Sequence, residues 1–470
     1  MLFTVPITRP GKRNPHLPQD APAQQRCSAP VTLKSIIDDR PIGRVHGLVL
    51  MLCGFVMFLD GFDTQAISFA APVLAKEWGL PPEALGPVLS AAIFGLMVGY
   101  LALSPLAARF GHRRVIIVTT AVFGALTLLC TLAAGPVELI ALRFLTGMGL
   151  GAAIPSVVAL TSEFAPRRRR SSFVMFIYCW LALGFVAAGV VSGYVIPQFG
   201  WRGMFAVGGV LPLLLTVVLI RFLPESPRYL LARSAESPRL LSILRRLDPS
   251  LGADARFVAD ADDAAPQQTA VSLVVELLRR RWIASTLLLW VAFIANLAAF
   301  YSIQSWLPSI VGSLGREQSV IIGATILTTI GGIVAATVIG PAMDRISPFL
   351  TLGVVYLLGA VFVALLGVAL GGSTWMLLVA AFLSGTCVTG GQMSIVALAA
   401  LIYPPRLRST GVGWALGIGR VGGIVGPILV GLAIGAGVEP SVVFMVIAAV
   451  LVAAGASVLM LGRRSAAERA

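Results

Sequence analysis

Apolar residues in this chain come in long blocks rather than in alternating or one-faced helical patterns. About 20 consecutive apolar residues suffice for an α-helix to cross the hydrocarbon of a bilayer. Such windows fall near residues 46–72, 86–107, 114–134, 137–162, 171–196 and 203–223, and again near 282–308, 319–343, 350–370, 375–402, 409–435 and 440–462. Six windows, a polar interval of nearly sixty residues, then six more predict an all-α membrane protein of twelve transmembrane helices. The expected division is a tail over 1–44, a six-helix bundle over 45–223, a linker over 224–281, a second six-helix bundle over 282–462 and a short end over 463–470.

The polar segments differ in kind. Residues 1–44 are rich in proline and polar residues and lack the apolar core of a signal peptide, which predicts a disordered cytoplasmic tail. The linker contains "PESPRYLLARSAESPRLLSILRRLDPS", expected to form short amphipathic helices against the inner membrane surface, and then the acidic, disordered-looking "DADDAAPQQ". It is too short for a catalytic or signalling domain.

The two groups of six also match each other. "SPLAARFGHRR" follows the second window and "GPAMDRISP" the eighth; "EFAPRRRRSS" follows the fourth and "IYPPRLRST" the tenth. Similar loops in register indicate an internal duplication, an arrangement that in transporters puts the site between the two repeats.

Composition agrees with a bilayer protein: of 470 residues 57% are hydrophobic and 12% charged, about half the charged fraction of a soluble chain. The net charge of +14 would suggest nucleic acid in a soluble protein, but here the arginines sit in short loops between apolar windows. Thirty of the 35 Lys and Arg fall on one side of the predicted topology and three, Lys76, Arg202 and Arg316, on the other. That asymmetry predicts a multi-pass protein of the cell inner membrane with both ends in the cytoplasm, and no nucleic-acid partner. The five cysteines are scattered without metal or disulfide spacing. No phosphate-binding loop is present, so no metal, nucleotide or other cofactor is implied, nor a protein partner.

The remaining two arginines, Arg143 and Arg420, lie inside windows, as do Asp60 and Asp63 in "FVMFLDGFDTQAISFAAP". Charge at that depth costs several kcal/mol unless paired or facing a wet cavity, so each is a candidate for function. Asp60 and Asp63 share a helix face at about 5–6 Å, where two ionised carboxylates repel, so one is expected to hold a proton. The three histidines lie in the tail or near inner window ends, which leaves the aspartates as the main proton carriers. Arg143 keeps its charge and needs an acid, Asp60 or Asp63, either as a fixed pair or as one that alternates with protonation. Arg420 has no acidic residue at comparable depth in its own half, which points to an anionic substrate held by two parallel hydrogen bonds, or to an aspartate of the other half. Asn296, Tyr301, Gln304, Trp306 and Gln392 offer further polar or ring contacts. Glu163 and Asp344 stand at inner window ends.

With these motifs the chain resembles the major facilitator superfamily, and within it the aromatic acid:proton symporters, over roughly residues 35–462. The resemblance rests on "LDGFDT", "LRFLTGMGLGAAIPS", "SEFAPRRRRS", "LPESPRYL", "AMDR" and "GIGR". It implies a major facilitator fold and import of benzoate-like or hydroxybenzoate-like anions with protons. Asp60, Asp63 and Arg143 would then couple the proton, and Arg420, Tyr301, Gln392 and Asn296 would contact the aromatic acid. Arg109, Arg113, Glu163, Asp344 and Arg345 would belong to the inner gate. The family's loop pattern G-x-L-A-D-R-x-G-R-[RK] appears here as "SPLAARFGHRR", with Ala108 in place of the aspartate, so a weaker inner gate is expected in the first half. Rival readings are a proton-coupled transporter of another organic anion, a drug antiporter, a sugar porter, or a membrane sensor on a transporter fold. An enzyme is disfavoured because no nucleophile–base pair or metal constellation lies at depth.

Overall fold

Each apolar window is helical in the computed structural model, which describes residues 31–32, 36, 42–103, 106–166, 169–234, 237–248, 257–258, 275–279, 281–403 and 405–467. The helices of the first half are α1 (Arg44–Trp78), α2 (Pro82–Ala102), the short α3 (Leu106–Phe110), α4 (His112–Leu129), α5 (Pro136–Phe164) and α6 (Arg170–Phe222). Two short helices follow, α7 (Pro227–Arg233) and α8 (Pro238–Leu247). The second half holds α9 (Ile283–Ser313), α10 (Gln318–Arg345), α11 (Pro348–Ala369), α12 (Thr374–Ile402), α13 (Pro405–Gly435) and α14 (Pro440–Ala467).

Among the described residues eleven helices are long and apolar enough to cross a membrane. The apparent shortfall from twelve lies in α6, whose 53 residues break at Gly200, where φ is 64° and ψ is −168°. A residue with a Cβ is strained at that φ, so a glycine sits where the chain turns back between the fifth and sixth crossings. The twelve windows therefore correspond to twelve crossing segments. We call the membrane side that carries the arginine-rich loops the basic side.

Packing repeats between the halves. In the first, α1 packs on the fifth-crossing part of α6, and α2 on α5; in the second, α9 packs on α13, and α10 on α12. Small residues allow the close approach, as expected where lipid offers no hydrophobic drive to helix association. A Cβ on Gly61 would lie 2.0 Å from the Leu181 carbonyl oxygen, and one on Gly184 would lie 2.0 Å from that of Phe58. Helix α1 accordingly runs unbroken through Gly61, between the two aspartates.

The two halves meet on the side away from the basic loops. Gln65 Nε2 donates to the Gln304 carbonyl oxygen at 3.1 Å, and Ser90 Oγ to that of Ile424 at 2.9 Å. Gly86 packs on Ile428 and Gly189 on Ile326 in the same region. That side is closed.

Helix α8 is amphipathic, with Leu240 and Leu244 buried and Arg239, Arg245 and Arg246 exposed. Its apolar face is covered by Ile36, while Ile243 and Leu247 pack against the core of the first bundle. Val31–Thr32 pairs in parallel with Phe257–Val258. Residues 1–30, 33–35 and 37–41 of the expected tail, and the acidic stretch of the linker at 260–268, lie outside the described residues.

Candidate functional site

The DGFD segment lies in the middle of α1, and its two carboxylates have different surroundings. Asp63 is 1% exposed and accepts hydrogen bonds from Arg143 Nη1 at 2.8 and 2.7 Å through its two oxygens. Thr127 Oγ1 donates to the same carboxylate at 3.1 Å, and Arg143 Nη2 donates to the Asp63 backbone oxygen at 3.2 Å. The Arg143 guanidinium, itself 0% exposed, also lies 5.6 Å from the Phe205 ring centre. This is a buried ion pair with both charges hydrogen-bonded, the condition under which such pairs persist. It is built wholly from the first bundle, with α5 bringing Arg143, α4 Thr127 and α6 Phe205 against α1.

Asp60, one turn toward the basic side, is 4% exposed and Oδ1 has no hydrogen-bond partner among the described residues. The charges within its electrostatic reach are Asp63, Arg420 and Arg143. The sequence left open which aspartate Arg143 holds; in the structure it is Asp63.

Arg420 lies midway along α13 and makes no ion pair among the described residues. Its Nη1 donates to the Tyr301 hydroxyl oxygen at 2.5 Å. The guanidinium carbon lies 5.8 Å from the centre of the Tyr301 ring and 5.6 Å from that of Tyr100 on α2, distances at which a cation is attracted to an aromatic face. Tyr178 on α6 and Asp60 complete the groups that sense its charge. Arg420, Tyr100 and Tyr178 are each partly exposed. With the far side closed, that exposed surface opens toward the basic side. Arginine and Tyr301 come from one bundle, and Tyr100, Tyr178 and Asp60 from the other, so an anion at Arg420 would touch both.

Asn296 and Gln392, offered separately by the sequence, meet in the structure, with Asn296 Nδ2 donating to Gln392 Oε1 and Asn296 Oδ1 buried without a partner among the described residues. They bridge α9 and α12. Trp306 and Gln304 lie nearer the closed side: Trp306 Nε1 donates to the Pro427 oxygen at 2.9 Å, and Gln304 Nε2 to Thr329 at 3.1 Å. Tyr100 and Tyr178 were missed in the sequence, although a tyrosine inside "MVGYLAL" or "FIYCW" is a polar group at depth and could have been flagged.

Three of the expected gate residues gather at the basic side of the first bundle. Arg113 donates from Nε to the Leu223 oxygen at 2.6 Å and from Nη2 to the Ile220 oxygen at 2.5 Å, closing the carboxyl end of α6. Glu225 accepts from the Arg113 backbone N–H at 2.9 Å, and Ser226 Oγ donates to Glu163. His112 Nε2 lies 3.7 Å from Glu163, and Tyr229 donates to the Arg109 backbone oxygen at 3.2 Å. The "LPESPRYL" motif thus ties the ends of α3, α4, α5 and α6 together, within one bundle. Arg345 is exposed. The side chains of Ala108 and Asp344 lie outside the described residues.

Two bundles with repeated helix pairing and a mid-membrane site between them define a secondary transporter of the major facilitator type. The Major Facilitator Superfamily model matches residues 53–364 and 317–470. The chain is 39% identical over 409 residues to the 4-hydroxybenzoate transporter PcaK of Pseudomonas putida, covering 86% of this chain and 90% of that one. It is 36% identical over 436 residues to a gallate transporter of Pseudomonas putida, covering 92% and 96%. Among solved structures, a D-xylose-proton symporter superposes with a TM-score of 0.67 at 17% identity, covering 88% of this chain and 97% of that one, a likeness of fold. The chain belongs to the Major Facilitator Superfamily and, by these relatives, to its aromatic acid transporters; it is a multi-pass membrane protein and not an enzyme.

Proposed function

We propose that the protein imports a benzoate-like or hydroxybenzoate-like carboxylate together with protons, by alternating access across the inner membrane, with the basic side in the cytoplasm. The observation that carries this reading is Arg420: a part-buried guanidinium at membrane depth held by a phenol rather than a carboxylate, between two tyrosine rings. A carboxylate can replace or join the Tyr301 hydroxyl at the fork, and the rings offer faces for an aromatic body. The relatives named for 4-hydroxybenzoate and gallate support the same substrate class.

Asp60 is the proton carrier in this scheme. Asp63 already has Arg143 as a partner through both carboxylate oxygens, whereas Asp60 is close to Arg420 and has an oxygen with no partner among the described residues to take a proton. With Asp60 protonated and an anion on Arg420, no net charge is left in the centre, which lowers the cost of closing the site away from water. Asn296 and Gln392 supply hydrogen-bonding groups on the wall of the second bundle. The basic-side cluster around Arg113 and Glu163 holds the first bundle rigid as it rocks, and Arg109, Asp344 and Arg345 complete the gate.

The test is uptake of radiolabelled aromatic and aliphatic carboxylates into energised vesicles, with and without a protonophore. Aromatic acids should accumulate only with the gradient intact, and Asp60→Asn should abolish accumulation while leaving exchange of labelled for unlabelled substrate. Accumulation unaffected by the protonophore, or retained in Asp60→Asn, would refute proton symport.

A further inference from the structure

Between the two charged centres lies a small, partly enclosed space bordered by a residue of each, Arg143 and Tyr301. It has a volume of about 20 Å³ and is lined by Thr64 and Arg143 from the first bundle and Tyr301 and Ser305 from the second, with apolar residues such as Ile67 and Leu89 around them. A single water needs about 10–15 Å³ by this measure and two to four polar partners. Four polar side chains meet that requirement. Arg143 spends both terminal nitrogens on Asp63, and its Nε is a buried donor with no partner among the described residues. Tyr301 accepts a hydrogen bond from Arg420, so its own hydroxyl hydrogen remains free to donate. Ser305 lies one turn beyond Tyr301 on the same face of α9.

We infer that this cavity is a binding site for one ordered water that joins the Asp63–Arg143 pair of the first bundle to the Tyr301–Arg420 pair of the second. An empty apolar void would be tolerated, but a void bordered by an unpartnered guanidinium nitrogen is costly, and a bridging water removes the cost at little entropic expense. The consequence for transport rests on the symport reading above. An anion arriving at Arg420 competes for the guanidinium and shifts the Tyr301 hydroxyl. The water passes that shift to Arg143, and so to the carboxylate pair beside it. Coupling between the substrate and proton centres then has a second route, a bridge across the interface beside the direct attraction between Asp60 and Arg420.

Two measurements test this. An atomic-resolution map of the intact protein should show density within hydrogen-bond reach of Arg143 Nε and Tyr301 Oη; a cavity that is empty or filled by a side chain would overturn the site whatever the protein transports. In proteoliposomes with 4-hydroxybenzoate as probe, Ser305→Ala removes a polar partner at nearly constant shape and Ala92→Val fills the space from the lining. Both variants should bind the probe within about threefold of wild type, yet carry about half as many protons per substrate or fewer. An unchanged proton-to-substrate ratio in both variants, each verified as folded by its retained probe binding, would overturn the coupling role. Absence of substrate-driven proton entry in the wild type would instead remove the symport reading and leave the water site to the map.

Discussion

The two membrane arginines differ in burial and are opposite in company: Arg143 is fully buried and Arg420 partly exposed. Arg143 is matched charge for charge by Asp63, with Thr127 filling one remaining lone pair and Phe205 its face. Arg420 has a neutral phenol as its hydrogen-bond partner and two ring faces, with its surface partly open to the space between bundles. A charge whose partner is built in holds the structure together. One whose partner is not built in is free to take a ligand, and the stability forgone at Arg420 is the source of binding energy.

The sharpest way to break this contrast is to remove each guanidinium and compare losses. Arg143→Met leaves Asp63 charged, buried and unpaired, which should cost about 3–5 kcal/mol of stability. Thermal unfolding of the detergent-purified protein reads that loss, and adding Asp63→Leu should restore most of it, because an apolar pair can replace a buried ion pair at little cost. If Arg143→Met melts at the wild-type temperature, the pair is not the fixed element claimed here. Arg420→Lys should behave in the reverse way, with stability nearly unchanged and substrate affinity about tenfold or more weaker, because an ammonium cannot offer the forked geometry. Equilibrium binding of labelled 4-hydroxybenzoate measures it.

A smaller effect is expected at Tyr301, which orients Arg420 without carrying charge. Tyr301→Phe removes one hydrogen bond to a charged group, worth about 1.5–3 kcal/mol when buried and less where water can replace it. Because the substrate carboxylate can occupy the same guanidinium nitrogen, affinity should change only severalfold. A complete loss of binding would show that the tyrosine, not the arginine, is the main ligand.

How much of this contrast could be read from the chain follows from what sets it. The crossings come from hydrophobic length, a local property, and the duplication from loop motifs in register, so both were legible; what the windows did not show is that the fifth crossing runs into the sixth as one helical stretch broken at Gly200. The ionisable residues at depth were legible too, since each stands out against an apolar run. The choice of Asp63 over Asp60 as partner was not, because the i, i+3 spacing puts both on one face and the decision comes from where α4 and α5 place Thr127 and Arg143. Tyr100 and Tyr178 were hidden for a similar reason. A tyrosine in a membrane helix can snorkel, pack or line a cavity, and only the meeting of α2, α6 and α13 brings two of them to one guanidinium.

The least effect, and the one that best separates site from gate, is expected on the closed side. Gln65 follows Asp63 by two residues and donates across the interface to the Gln304 backbone oxygen, while the Gln304 side chain is held by Thr328 at 2.9 Å and Thr329 at 3.1 Å. One hydrogen bond of this kind contributes about 1 kcal/mol to the closed arrangement. Gln65→Leu should therefore raise the population open to the far side about fivefold relative to the closed one. It should do so without altering melting temperature, because each bundle keeps its own core. Modification of a cysteine introduced at Ser90, which is close to cysteine in size and buried against Ile424 in the closed form, would report that opening to a membrane-impermeant thiol reagent. Faster labelling in Gln65→Leu, with binding at Arg420 intact, would place gate and ligand on separate helices, α1 and α13. Unchanged labelling would mean that helix packing at Gly86 and Gly189, rather than the glutamine, keeps the far side shut.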